Sequence, residues 1–139
     1  MSSLDHTADA AAVHSLDHFA IVVPDLAEAT RFYSKFGVGI EEDRNSLAIC
    51  CGTTKPAALV FEGGRKRLHH LSFGIYEADA VAFASRLQQR GIARLDPPPG
   101  LPRDGVWLRD PEGNLVELRI ADKTSPDAKD AVSFVSAAP

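Results

Sequence analysis

The feature that most constrains what this chain can fold into is an internal repeat. The stretch "LDHFAIVVPDLAEATRFYSKFG" at residues 16–37 and the stretch "LHHLSFGIYEADAVAFASRLQQRG" at 68–91 follow one plan. Each opens with an apolar strand whose third residue is histidine, turns, runs into an amphipathic helix and stops at glycine. His18 and His70 stand 52 residues apart, and Gly37 and Gly91 keep nearly that offset. A fixed offset of this size marks a duplicated supersecondary unit. In the first copy Pro24 ends the strand, and Asp25 with Glu28 three residues on forms an N-cap signature, so a helix is expected from about Leu26.

Three short β-prone runs follow each helix: 38–42, 47–51 and 57–61 in the first copy, 93–96, 106–108 and 115–120 in the second. "PPPGLP" reads as a stiff loop and "DPEGN" as a turn. The predicted fold class is therefore α+β, two tandem β-α-β-β-β units at about 15–63 and 67–121. Each unit is a curled mixed sheet, and the two must pair to enclose a cavity, within one chain or between chains. Residues 1–14 and 122–139 read as tails, with Val132, Phe134 and Val135 available to dock on a neighbour. The aromatic stripes Phe32, Tyr33, Phe36 and Phe83 read as core.

Strand alternation assigns faces. His70, Ser72 and Gly74 share one face of their strand, while His69, Leu71, Phe73 and Ile75 share a greasier one expected to lie under a helix. His18, Ala20 and Val22 repeat the first pattern. The two histidines thus point the same way, towards the cavity. Glu117 lies between Val116 and Leu118, where a carboxylate is costly to bury unless it is paired or bound to a cation. A metal held by His18, His70 and Glu117 would explain all three. His70→Ala should then abolish metal retention and His69→Ala should spare it. His6, His14 and His69 read as ordinary hydrogen-bonded or half-exposed histidines, and Arg65, Lys66 and Arg67 as a solvated turn.

Composition excludes other classes. A formal charge of −4, with no basic stripe beyond residues 65–67, argues against a nucleic-acid partner. Cys50 and Cys51 are adjacent, so a disulfide between them would be strained, and a reducing, cytoplasmic setting is expected. No apolar run nears the roughly 20 residues of a membrane span.

The paired stretches, with the closing "WLRDPEGNLVEL", resemble the vicinal oxygen chelate superfamily over residues 15–121. That resemblance implies a metal-binding cavity with His18, His70 and Glu117 on the ligand positions and His69 off them. Phe61 aligns where a fourth ligand would stand, and adjacent Glu62 should face away. Two histidines and one carboxylate match the facial triad of ferrous oxygenases. The resemblance therefore favours extradiol ring cleavage: Fe(II), or Mn(II) or another divalent ion, acting on a small catechol-like substrate. Lys55, Trp107, Arg103 and Asp104 are the candidate substrate contacts, standing where such enzymes use histidines and a tyrosine. Rival readings on the same fold are a glyoxalase-like lyase, a fosfomycin-type thiol transferase, an epimerase and a metal-free drug-binding protein. A homodimer is expected.

Overall fold

The structure, a computed structural model, describes residues 11–52 and 55–123. The first copy contains β1 (Ser15–Val23), α1 (Leu26–Ser34), β2 (Gly39–Glu42), β3 (Ser46–Cys50) and β4 (Pro56–Glu62). The second contains β5 (Arg67–Ile75), a 3-10 turn (Glu77–Asp79), α2 (Ala80–Gln89), β6 (Val106–Arg109) and β7 (Leu115–Ile120). Local chemistry sets the helix ends. Asp25 is extended, and its side chain accepts the Glu28 N–H at 3.1 Å. Glu62 Oε2 accepts the Leu26 N–H at 3.0 Å, so Glu62 is committed to the start of α1. After α2 the Ile92 N–H reaches back to the Leu87 carbonyl, which requires the left-handed turn at Gly91, φ +68°.

The seven strands among the described residues form one sheet in the order β2-β3-β4-β1-β5-β7-β6. The copies meet within the chain, where β1 runs antiparallel to β5. Each opening strand also pairs in parallel with the last strand of its own copy, β1 with β4 and β5 with β7, so the halves mirror one another. The expected strand at 93–96 does not form. Only the bridge Leu95–Trp107 stands in its place. Pro97, Pro98 and Pro99 follow immediately, and without N–H groups they cannot continue a ladder.

The sheet's outer face carries two cores. Leu47, Ile49, Ala58 and Val60 are buried and pack with Ile21, Val23 and α1. Ile75, Phe83, Val116 and Leu118 form the second core with α2, joined by Ala11. Phe83 and Tyr33 join these cores as expected. Phe32 and Phe36 do not: they are 54% and 60% exposed, because α1 turns Leu26, Ala29 and Tyr33 to the sheet, which leaves Phe32 on its far side, and Phe36 follows the end of the helix. Cys50 is buried, Cys51 is exposed, and they are not bonded to each other. His14 Nε2 lies 2.7 Å from the Ala121 carbonyl and its ring packs on Tyr76. His6, Val132, Phe134 and Val135 lie outside the described residues. Among the described residues no helix is long and apolar enough to cross a membrane.

Candidate metal centre

Turning from the outer face, with its two cores, to the inner face of the sheet, the buried residues become polar. His18, His70, Ser72 and Glu117 are all at most 9% exposed. His18 stands on β1, His70 and Ser72 on β5, Glu117 on β7. One ligand-type atom from each of His18, His70 and Glu117 lies within 4.8 Å of the others. The two Nε2 atoms are 3.1 Å apart. Ligands at right angles on an ion with bonds of about 2.1 Å stand about 3 Å apart, so this spacing suits one divalent cation. Glu117 completes the case. Ser72 Oγ donates to its Oε1 at 2.7 Å, but Oε2 is buried with no hydrogen-bond partner among the described residues. An unpartnered buried carboxylate oxygen is costly unless a cation takes it, so the donor set fits a metal.

Each histidine is supported by the residue before it. The β1–β5 register slips twice, leaving Asp17 and His69 as extra residues. A bulge of this kind breaks strict alternation, so two successive side chains reach one side. Asp17 Oδ2 therefore lies 2.8 Å from His18 Nδ1, and His69 Nδ1 lies 2.8 Å from His70 Nδ1. His69 does not sit under a helix with Leu71 and Phe73, as alternation predicts. Its ring packs on Phe61, 4.9 Å between centroids.

Electrostatics keep His70 ready to bind. Burial, then the charges of His18 and His69, lower the His70 pKa to about 4, so its lone pair is available at neutral pH. Burial alone would raise Asp17, but hydrogen bonds from His18 and Lys55 outweigh it and hold the carboxyl at about 2. Burial, then the Arg67 charge, lower His69 as well.

Asp17, His18, His70 and Glu117 line a cavity of about 560 Å³, a size that suits a small organic molecule. Lys55 stands in its wall and pairs with Asp17. Trp107 is 1% exposed, packs edge-on against His70 at 5.0 Å, and its Nε1 has no hydrogen-bond partner among the described residues. Arg103 and Asp104 are exposed and outside the wall. Arg119, two residues past Glu117 on the same strand face, lines the cavity instead. Sequence reasoning passed over Arg119, although alternation from Glu117 points to it. It also passed over Asp17, whose signal was its match to His69 across the repeat.

Comparison with known proteins places these features among relatives. The Glyoxalase/Bleomycin resistance protein/Dioxygenase superfamily matches over residues 15–118. Metapyrocatechase 2 of Cupriavidus necator is 41% identical over 118 residues, which are 85% of this chain and 37% of that protein. A glyoxalase domain-containing protein of Mycosarcoma maydis is 30% identical over 126 residues, covering 76% of this chain and 68% of its own length. An extradiol ring-cleaving dioxygenase from B. fuscum superposes with a TM-score of 0.68 at 19% identity, over 79% of this chain and 33% of that one. Homoprotocatechuate 2,3-dioxygenase from Arthrobacter globiformis gives 0.66 at 19% identity, over 80% and 38%. The chain thus spans about a third of the length of the metapyrocatechase and of both dioxygenases.

Proposed function

The chain belongs to the glyoxalase/bleomycin resistance protein/dioxygenase superfamily, and from that premise we propose that it is an extradiol-type dioxygenase. In this reading His18 Nε2, His70 Nε2 and Glu117 Oε2 hold Fe(II), and the substrate is a small catechol-like molecule. The observation that carries the proposal is the unpartnered Glu117 Oε2, buried beside two histidines whose other ring nitrogens are already engaged. The likeness to metapyrocatechase 2 supports the choice of reaction. The chemistry that a bound ferrous ion supplies is Lewis acidity towards vicinal oxygens and an electron path to dioxygen.

The chain's own residues do the rest. Trp107 and Leu59 form apolar wall against which an aromatic ring can lie. Trp107 Nε1–H can donate to a substrate oxygen but cannot exchange its proton, so it orients and does not act as acid or base. Lys55 Nζ, held by Asp17 Oδ1, is the ammonium nearest the ligands and the candidate to steady a phenolate oxygen. Arg119 places a second cation on the same face as Glu117, suited to an anionic substituent.

Protein purified without oxygen should carry near-stoichiometric iron and convert catechols to ring-opened products with uptake of one dioxygen per turnover. Glu117→Gln should lose both. Manganese content with fosfomycin-dependent stabilisation would favour the transferase, and refusal of every divalent ion would favour a binding protein. The reading includes a homodimer, in which a second copy covers Phe32 and Phe36, and a cytoplasmic setting suited to the cysteines. Sedimentation velocity tests the first.

A further inference from the structure

The repeat extends beyond the ligands to their supports. Asp17 and His69 occupy equivalent positions, each one residue before a ligand histidine and each the extra residue of a bulge in the β1–β5 pairing. Asp17 meets His18 through Nδ1 at 2.8 Å. His69 meets His70 through Nδ1 at 2.8 Å. We propose that His69 is a positioning residue for the metal ligand His70, the second copy's counterpart of Asp17.

The geometry gives the role. If His70 offers Nε2 to the cation, its proton resides on Nδ1 and must be accepted by a neighbour, which fixes both tautomer and ring orientation. His69 Nδ1 is that acceptor, so the His69 proton sits on Nε2. Phe61, packed on the His69 ring, keeps the acceptor aimed. The registers set Leu59 opposite Ala20 as Glu117 stands opposite Ser72, so Leu59 and not Phe61 is the first copy's counterpart of Glu117, and Phe61 is left to support His69. His18 rests on an anionic support and His70 on a neutral one. The first copy therefore binds the cation with a more basic imidazole than the second, and the two ligands are unequal despite the repeat.

This inference rests on the metal site of the proposed function, and its test separates the two. Metal-stripped protein is titrated with Co(II), whose visible absorption reports inner-sphere ligands without any turnover. His69→Leu keeps an apolar side chain on Phe61 but removes the acceptor. His69→Asn keeps an acceptor near the Nδ1 position but packs less well. The positioning role expects His69→Leu to weaken Co(II) binding by roughly 10–100-fold and His69→Asn to restore most of it, with circular dichroism of both matching the wild type. A packing role expects the reverse order and would overturn the proposal. Equal binding by all three proteins overturns it too, leaving the metal site standing. Wild-type protein that takes up no Co(II) overturns the metal site and this inference together.

Discussion

A Cβ built on Gly105 would lie 2.5 Å from Glu117 Oε2 and 2.9 Å from its Cγ. Gly105 does not sit at positive φ, so the backbone there would accept alanine. The constraint comes wholly from the carboxylate it makes room for. Gly105→Ala should therefore push Glu117 out of line, weakening metal affinity by about an order of magnitude and costing about 1–3 kcal/mol of stability through overpacking. Co(II) titration beside urea unfolding measures both; unchanged affinity would mean that Glu117 is not a ligand. The three candidate ligands could be read from the chain as sharing a face because period-two alternation holds from His18 and from His70 onward and on both sides of Glu117. Asp17 and His69 could not, because each bulge adds one residue to a strand and no local signal in the sequence announces it.

At the scale of elements, burial separates aromatics that look alike in sequence. Phe83 is 9% exposed in the core under α2, whereas Phe36 is 60% exposed just past the end of α1. Phe83→Ala should cost about 3–5 kcal/mol, while Phe36→Ser should shift the unfolding free energy of the monomer by less than about 1 kcal/mol. Urea titrations at low protein concentration distinguish the two. The helix pattern showed that α1 has an apolar side but not how wide a stripe the sheet could cover, which depends on sheet curvature. The turn between β6 and β7 was legible as "DPEGN", and Asp110 explains why. It accepts the N–H groups of Glu112 and Asn114 and the Asn114 side chain. The Asn114 side-chain bond, followed by its backbone bond, holds the Asp110 pKa below the ordinary 3.8. A lowered folded-state pKa means that the stabilisation is complete above that ordinary value and is lost as pH falls through the lower one. Asp110→Ala should thus be less stable than wild type at neutral pH, and the gap between their urea midpoints should close under acid. A constant gap would remove the carboxylate from the account.

At the scale of the molecule, the repeat was visible from its first histidines, yet sequence alone left open whether the copies pair within one chain. They do, through β1 and β5, and the candidate ligands straddle that junction: His18 from the first copy, His70 and Glu117 from the second. The outer face gives each half its own core, one under α1 and one under α2, with no buried residue in common. Where the halves meet on the inner face, Ala20 and Val22 lie beside the buried polar set His18, His70, Ser72 and Glu117, so without a cation the junction holds a carboxylate oxygen with no partner among the described residues. A cation bound only by the folded chain stabilises it by mass action, about 2.7 kcal/mol at a hundredfold excess over Kd, or of order 10 °C in Tm for a domain of this size. Chelation should therefore lower Tm by about that amount, and restoring Fe(II) or Co(II) should recover it. Because the ligands come from both copies, the recovered transition should also be sharper, the two cores melting together where the stripped protein loses them in steps. Glu117→Gln should abolish the response to metal while melting near the stripped wild type. A chelator effect that persists in Glu117→Gln would place the stabilising ion elsewhere than between the two halves.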